Sequence, residues 1–257
     1  MELQERVSGI IAALKDAYPD PVCALQYKKD YELMIAVRLS AQCTDERVNK
    51  ITPALFARFP TLDALADADI AEVEDYVRSC GFYKHKARDI VLACQLLREK
   101  YGGKVPGTME ALLSLPGVGR KTANLLLGDL YKAPGSVVCD THCIRITNLL
   151  GLSEGKDPAK VETQLRAILP PEESSDFCHR IVLHGRAVCI ARRLSSTNTS
   201  GRMGAFPFLG FASCTGSGGS STGRSNSDAF ARRRSCSCCT CSMCRVATWL
   251  TIRSAAS

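Results

Sequence analysis

The chain has 257 residues, of which 46% are hydrophobic, and a formal net charge of +7. A chain of this length buries one large core or two lobes of roughly a hundred residues each, which is large enough for an enzyme. No apolar run approaches the ~18 residues of a membrane span, and the first residues indicate an amphipathic helix rather than a signal peptide. We therefore expect a soluble, cytoplasmic protein.

The positive charge is concentrated at the end of the sequence. Seven arginines and one aspartate lie from Leu194 onward, which leaves 26 basic and 25 acidic groups in residues 1–193. Net charge therefore does not indicate a nucleic-acid-binding body, and DNA binding has to be argued from local motifs.

The first 193 residues are predicted to be helical, because apolar residues recur at spacings of three and four and no segment alternates as a strand would. The predicted helices with the clearest starts begin, in chain order, at Asp30, Asp69, Lys84, Thr108, Arg120, Asp157 and Ser175. We expect Asp30 to be an N-cap, and Asp69 with Glu72 has the spacing of a capping box. The pattern predicts an all-α protein with short loops.

The cysteines of this helical region are predicted to be reduced. Six of them lie in or beside apolar stretches, where a free thiol packs as a small hydrophobe: Cys43, Cys80, Cys94, Cys139, Cys143 and Cys178.

The sequence changes character at Arg193. The residues that follow are rich in Ser, Gly, Cys and Arg, contain no lysine or glutamate, and show no periodicity that would bury a face. We predict that residues 194–257 form a disordered, low-complexity tail.

The stretch LPGVGRKTA, residues 115–123, does not fit a nucleotide-binding loop. A P-loop needs adjacent Gly-Lys-Ser/Thr, but Arg120 separates Gly119 from Lys121. A dinucleotide-binding loop needs a preceding strand and a third glycine where Thr122 stands. The remaining interpretation is two helices joined by a tight turn.

This hairpin is a candidate anion site. Gly117 and Gly119 leave the turn without side chains, so amide groups at the start of the second helix can face a phosphate oxygen. Arg120 opposes the helix dipole at a cost of roughly 0.3–1 kcal/mol, which a DNA phosphate would offset. An ordinary glycine-containing link between helices remains an equally good interpretation of the motif alone.

Four ordered segments resemble the endonuclease III family of helix-hairpin-helix DNA glycosylases. They are LSAQCTDERVNK at 39–50, LPGVGRKTAN at 115–124, VVCDTHCIRI at 137–146 and VLHGRAVCIARR at 182–193. The resemblance implies a two-lobed helix-hairpin-helix fold. Residues 22–134 would form a six-helix lobe with the hairpin, and residues 1–21 with 135–193 would form the second lobe.

The resemblance also implies the site residues. Lys121 would attack the sugar with the assistance of Asp140, although Asp140 could instead serve as a helix N-cap. Gln42 would fill the gap left by a flipped nucleotide. The predicted DNA contacts are Gln42, Gly117, Gly119 and Arg120, and further candidate phosphate contacts at a predicted helix start are Lys84, His85 and Lys86.

The implied activity is removal of oxidised pyrimidines from double-stranded DNA, followed by strand cleavage at the abasic site. An amine nucleophile retains the sugar as a Schiff base, which permits β-elimination of the 3′ phosphate. Two alternatives stay open, a mismatch or adenine glycosylase of the same fold and a catalytically silent DNA-binding module. We expect a monomer that acts on damaged or abasic DNA, at the nucleoid if the host is bacterial.

The resemblance implies a [4Fe-4S] cluster that the sequence does not support. The family's four cysteines have six, two and five residues between them; Cys189 matches the first, but Ser196, Thr199 and Ala205 follow. We therefore predict no metal site and attribute the divergence after residue 193 to a frameshift.

Overall fold

The computed structural model describes residues 2–189, and in this range the chain is helical, with no β-strand. The eleven α-helices of this range are α1 Leu3–Ala17, α2 Asp30–Ser40, α3 Asp45–Arg58, α4 Leu62–Ala66, α5 Ile70–Val77, α6 Tyr83–Tyr101, α7 Met109–Leu113, α8 Arg120–Tyr131, α9 Thr141–Leu149, α10 Pro158–Ile168 and α11 Ser174–Ala187. The all-α prediction is confirmed. The predicted disordered tail and its cysteines lie outside the described residues.

The chain divides into two compact units, of which the described parts are residues 2–19 and 20–189. The first contains α1, an amphipathic helix that buries Val7, Ile10, Ile11 and Leu14 on one face. None of the described helices has the length and apolar character to span a bilayer. The predicted division into lobes at residues 22 and 135 stays a prediction.

Helix α2 forms the centre of the second unit. Five consecutive residues, Leu33 to Val37, and Leu39 after Arg38 are at most 5% exposed. A helix that is apolar around its whole circumference must be enclosed, and α2 packs against α3, α6 and α8. This packing fixes α8 against the central helix.

The start of α2 differs from the prediction. Its N-cap is Lys29 rather than Asp30. The carboxylate of Glu32, one turn into the helix, accepts hydrogen bonds from the amides of Lys28 and Lys29 at 2.7 and 3.2 Å. Glu32 thus reaches back from the first turn to the amides before the helix, as the N3 residue of a capping box does, whereas an N-cap at Asp30 would have accepted from amides inside the first turn.

Helices α9 and α11 approach each other closely at Gly185. A Cβ atom at this position would lie 2.5 Å from His142 Nδ1 and 2.9 Å from Ile146 Cδ1. The missing side chain lets α11 pack directly on the first turns of α9, which fixes the position of Asp140 at the N-cap of α9.

Candidate active site

A cavity in the second unit is lined by six parts of the chain. They are residues 22–25, the end of α2, the start of α3, the first turns of α8, the segment before α9, and α11. Its volume is about 100 Å³, several times the ~10–15 Å³ that one water molecule needs. Lys121 and Asp140 both line it. Two residues that are nineteen positions apart in sequence thus share one cavity.

Lys121 lies in the first turn of α8, directly after the hairpin, and its side chain is exposed. Within residues 2–189, its ammonium group makes no hydrogen bond or ion pair. A lysine that the fold does not use is available to a ligand in the cavity.

The two carboxylate oxygens of Asp140 have different surroundings. Oδ1 accepts a hydrogen bond of 2.7 Å from the amide of Cys143 and so caps α9. The N-cap interpretation is therefore correct. Oδ2 has no hydrogen-bond partner in the described part of the chain, and Asp140 still lines the cavity, so capping does not exclude a chemical role.

An ion pair that the sequence did not reveal crosses the cavity wall. Arg186, in the last turn of α11, donates to Asp45, the first residue of α3, at 2.6 Å. The partners are 141 positions apart, and only the fold brings them together. Their charges are mutually satisfied, so they shape this side of the cavity more than they add net charge to it.

The cavity also contains a buried polar group that sequence reasoning missed. His179 Nε2 lies 2.7 Å from Asp129 Oδ1, and the two side chains are 13% and 8% exposed. Cys23 lies nearby, where burial raises the pKa of its thiol to about 12 and the negative charges of Asp129 and Asp45 add to the shift. This thiol is therefore protonated and is not a nucleophile at neutral pH.

Arg120 has an intramolecular partner that the hairpin motif did not predict. Its Nε and Nη2 donate to the two carboxylate oxygens of Glu162 on α10, at 2.7 and 2.9 Å. Glu162 is only 4% exposed and also pairs with Arg166 at 3.0 Å. The Glu162 carboxylate therefore offsets the unfavourable position of Arg120 at a helix N-terminus, where the sequence analysis invoked a DNA phosphate. A DNA contact by Arg120 stays a prediction.

The fold requires glycine at one of the two hairpin positions and not at the other. Gly117 has φ +75°, and a Cβ atom there would lie 2.5 Å from Arg38 Nε and 2.8 Å from Asp89 Oδ2, which pair with each other. Gly119 has φ −96°, and nothing lies within 4 Å of its Cβ position. Only Gly117 is required by the fold.

We expect Gly117→Ala to lower the free energy of unfolding by about 1–3 kcal/mol, because alanine combines a strained φ with a clash. Gly119→Ala serves as the matched control and should leave stability within about 0.5 kcal/mol. Thermal unfolding of both variants measures the difference. Equal stability of the two would mean that the turn adapts to a side chain at Gly117.

Two residues with an unusual backbone conformation, Gln42 and Phe82, lie in neighbouring loops. Gln42 and Phe82 both have left-handed backbones, with φ +54° and +58°, and Phe82 is 64% exposed. Their loops are neighbours, since a Cβ at Gly81 would lie 3.6 Å from the Gln42 carbonyl oxygen. Non-glycine residues in this conformation each cost about 1–3 kcal/mol and are concentrated at functional sites. Sequence reasoning found Gln42 and missed Phe82.

Lys86 is not available as a phosphate contact. It is 1% exposed, and its ammonium donates to the carbonyls of Leu39 and Ala41 at 2.9 and 2.6 Å. Burial lowers the pKa of this amine. Lys86 instead holds the end of α2 and the loop that carries Gln42, whereas Lys84 and His85 are exposed and stay candidate contacts.

The described residues do not fit a four-thiolate cluster. Cys189 Sγ accepts a hydrogen bond from Arg145 Nη1 at 3.1 Å, and Arg145 Nη2 donates to the Cys189 carbonyl at 2.6 Å. The next positions of the family's cysteine pattern carry Ser, Thr and Ala, none of which replaces a thiolate ligand.

The fold and the cavity together define a helix-hairpin-helix protein in which the lysine after the hairpin and an aspartate share one site. Residues 35–171 match the HhH-GPD superfamily of base excision DNA repair proteins. Endonuclease III of Synechocystis sp. is 45% identical over 190 residues, which cover 74% of this chain and 87% of that protein. Endonuclease III of Escherichia coli K12 is 39% identical over 184 residues, which cover 72% and 87%.

Solved structures give the same relationship. A trapped endonuclease III–DNA covalent intermediate is 38% identical, with a TM-score of 0.70 over 75% of this chain and 90% of that one. The chain therefore belongs to the endonuclease III family of DNA glycosylases and AP lyases, within the HhH-GPD superfamily.

Proposed function

We propose that this protein removes oxidised pyrimidines from double-stranded DNA and then cuts the strand 3′ to the abasic site, with Lys121 as the nucleophile and Asp140 as its acid-base partner. The observation that supports the assignment best is the shared cavity: an unpaired lysine and a carboxylate with one uncommitted oxygen line the same walls.

Binding of the duplex begins at the hairpin and at the surface around Gln42. The amides at the start of α8 donate hydrogen bonds to a phosphate of the damaged strand. Phe82 and Gln42 enter the duplex where the damaged nucleotide leaves the stack. An exposed aromatic ring can stack on the neighbouring base, which compensates for part of the cost of extrusion.

The first chemical step breaks the glycosidic bond. Asp140 takes a proton from Lys121, and the free amine forms a bond to C1′ of the extruded sugar. The bond between C1′ and the base breaks, and the base leaves with the electron pair and takes up a proton. The sugar develops positive charge in this step, so the Asp140 carboxylate also stabilises the transition state.

The second step cuts the strand. Opening of the sugar ring gives a Schiff base between Lys121 and C1′, which makes the C2′ hydrogen acidic. Loss of that proton expels the 3′ phosphate with the electrons of the C3′–O bond. Water then hydrolyses the imine and releases the enzyme. Every step uses residues of this chain, and none is routed through an iron-sulfur cluster.

The cellular location follows from the substrate. A protein that repairs chromosomal DNA works where that DNA lies, which in a bacterial host is the nucleoid in the cytoplasm. Its partner is double-stranded DNA that carries damaged bases or abasic sites.

Four duplexes test the proposed function: one with thymine glycol, one with an abasic site, one with adenine opposite 8-oxoguanine, and one undamaged. We expect base release and β-elimination products from the first, nicking of the second, and neither from the others. Adenine release from the third duplex would support the mismatch glycosylase, and binding without any cleavage would support the silent DNA-binding module.

Replacement of Phe82 separates a role in DNA from a role in folding. Phe82→Gly relieves the left-handed strain, so stability should stay equal or rise slightly. Loss of an aromatic stack of about 1–3 kcal/mol should slow excision of thymine glycol roughly 10- to 100-fold.

Lys132→Gly is the matched control, because Lys132 is also exposed and left-handed, with φ +49°, but lies at the far end of α8. Single-turnover excision rates of the two variants on thymine glycol DNA measure the difference. If the two variants excise equally fast, Phe82 has no role in extrusion.

A further inference from the structure

The reaction above uses two of the polar side chains that line the cavity and leaves His179 without a function. His179 lies on α11 and lines the same cavity as Lys121 and Asp140. Its Nε2 faces the Asp129 carboxylate at 2.7 Å. Asp129 does not line the cavity, and within residues 2–189 the other ring nitrogen of His179, Nδ1, has no hydrogen-bond partner.

Most of the other polar groups on these walls are already committed. Asp45 and Arg186 pair with each other at 2.6 Å. The Ser40 hydroxyl donates to the Val37 carbonyl at 2.9 Å. Cys23 is a protonated thiol, which is a weak donor. Besides the two residues assigned to the sugar, His179 is a cavity-lining residue whose side chain, in the described part of the protein, keeps a polar atom, Nδ1, without a partner.

The contact with Asp129 determines whether His179 Nδ1 is a hydrogen-bond donor or an acceptor. A carboxylate only accepts hydrogen bonds, so the hydrogen of a neutral imidazole resides on Nε2. Nδ1 then carries a lone pair and acts as an acceptor. Asp129 is 8% exposed and its Oδ2 is buried without a hydrogen-bond partner, so the hydrogen bond from His179 to Oδ1 stabilises this carboxylate.

Oxidised pyrimidines differ in what they present to such an acceptor. Uracil-type lesions, such as dihydrouracil, thymine glycol and 5-hydroxyuracil, carry a hydrogen on ring nitrogen N3 and can donate it. Cytosine-type lesions, such as 5-hydroxycytosine, have a lone pair at N3. A flipped base is read through this edge, and a site that hydrogen-bonds one partner rejects an analogue that leaves the site unpaired.

We propose that His179, oriented by Asp129, is a specificity-determining residue that accepts a hydrogen bond from N3 of the extruded base and so favours uracil-type over cytosine-type lesions. This inference rests on the proposed glycosylase function, and it assigns the base-reading role to a residue that takes no part in the chemistry at the sugar.

The test compares excision of 5-hydroxyuracil and 5-hydroxycytosine, which differ at N3 and C4, in otherwise identical duplexes. We expect the full-length protein to excise 5-hydroxyuracil roughly 10- to 100-fold faster. Equal rates, or a preference for 5-hydroxycytosine, would overturn the proposal whatever any variant does.

A double variant, His179→Phe with Asp129→Leu, removes the proposed hydrogen-bond acceptor for the base without leaving a buried charge unpaired. We expect the ratio of its excision rates on 5-hydroxyuracil and 5-hydroxycytosine to fall to about one. Borohydride trapping on abasic DNA, which has no base to read, should stay at the wild-type level and reports that the variant is folded. A retained preference would contradict the proposal, whereas loss of trapping by the wild-type protein would contradict the glycosylase function itself.

Discussion

Replacement of Lys121 by alanine should abolish covalent trapping on abasic DNA and slow excision of thymine glycol by about 10³-fold or more, the scale on which loss of a covalent nucleophile acts. The reason is that no other amine is proposed to reach C1′, so neither the Schiff base nor β-elimination can proceed. Stability should be unchanged, because within the described residues Lys121 makes no hydrogen bond or ion pair.

Lys160→Ala is the control for Lys121→Ala. Lys160 is an exposed lysine on α10 and does not line the cavity, so its loss changes the net charge by the same amount. We expect full trapping and full excision. If Lys121→Ala still forms the adduct, the nucleophile is another amine.

Asp140→Asn should separate the chemical role of Asp140 from its capping role. Asparagine caps a helix about as well as aspartate, so the contact with the Cys143 amide can persist and stability should change by less than about 1 kcal/mol. Loss of the charge removes the proton acceptor and the stabilisation of the cationic sugar, and excision should slow about 10²- to 10³-fold. Single-turnover kinetics and thermal unfolding measure the two effects separately.

Asp157→Asn supplies the matched control for Asp140→Asn. Asp157 caps α10 through a bond of 3.0 Å from the Ala159 amide and does not line the cavity. The same substitution at this cap should leave excision unchanged. If the two variants excise at the same rate, Asp140 only caps its helix.

The hairpin was predictable because it depends on local sequence. A tight turn between two helices needs glycine where φ is positive, so Gly117 and the helix that starts after the turn follow from local rules. The roles of Lys121 and Asp140 came from the family resemblance, and both residues line one cavity.

The features that sequence reasoning missed depend on contacts between distant segments. Glu162 lies 42 positions from Arg120, and no local sequence pattern near either residue predicts their ion pair. Charge alone predicted an exposed Lys86, but two carbonyl groups at the end of α2 accept its ammonium and make burial possible.

Backbone geometry shows a similar limit. Phenylalanine is a poor choice for a left-handed conformation, so no local rule predicts the exposed Phe82 beside Gln42. His179 was likewise unremarkable in sequence, because its meaning comes from Asp129, 50 positions earlier. Both residues became candidates only when the fold brought them to the site.

The central claim is that one particular amine becomes covalently attached to the damaged sugar. Borohydride reduction during the reaction on abasic or thymine-glycol DNA, followed by proteolysis and mass spectrometry, identifies the modified residue directly. The added mass should lie on Lys121, and cleavage by trypsin after this residue should be lost. An adduct on the N-terminal amine or on any other lysine would contradict the assignment.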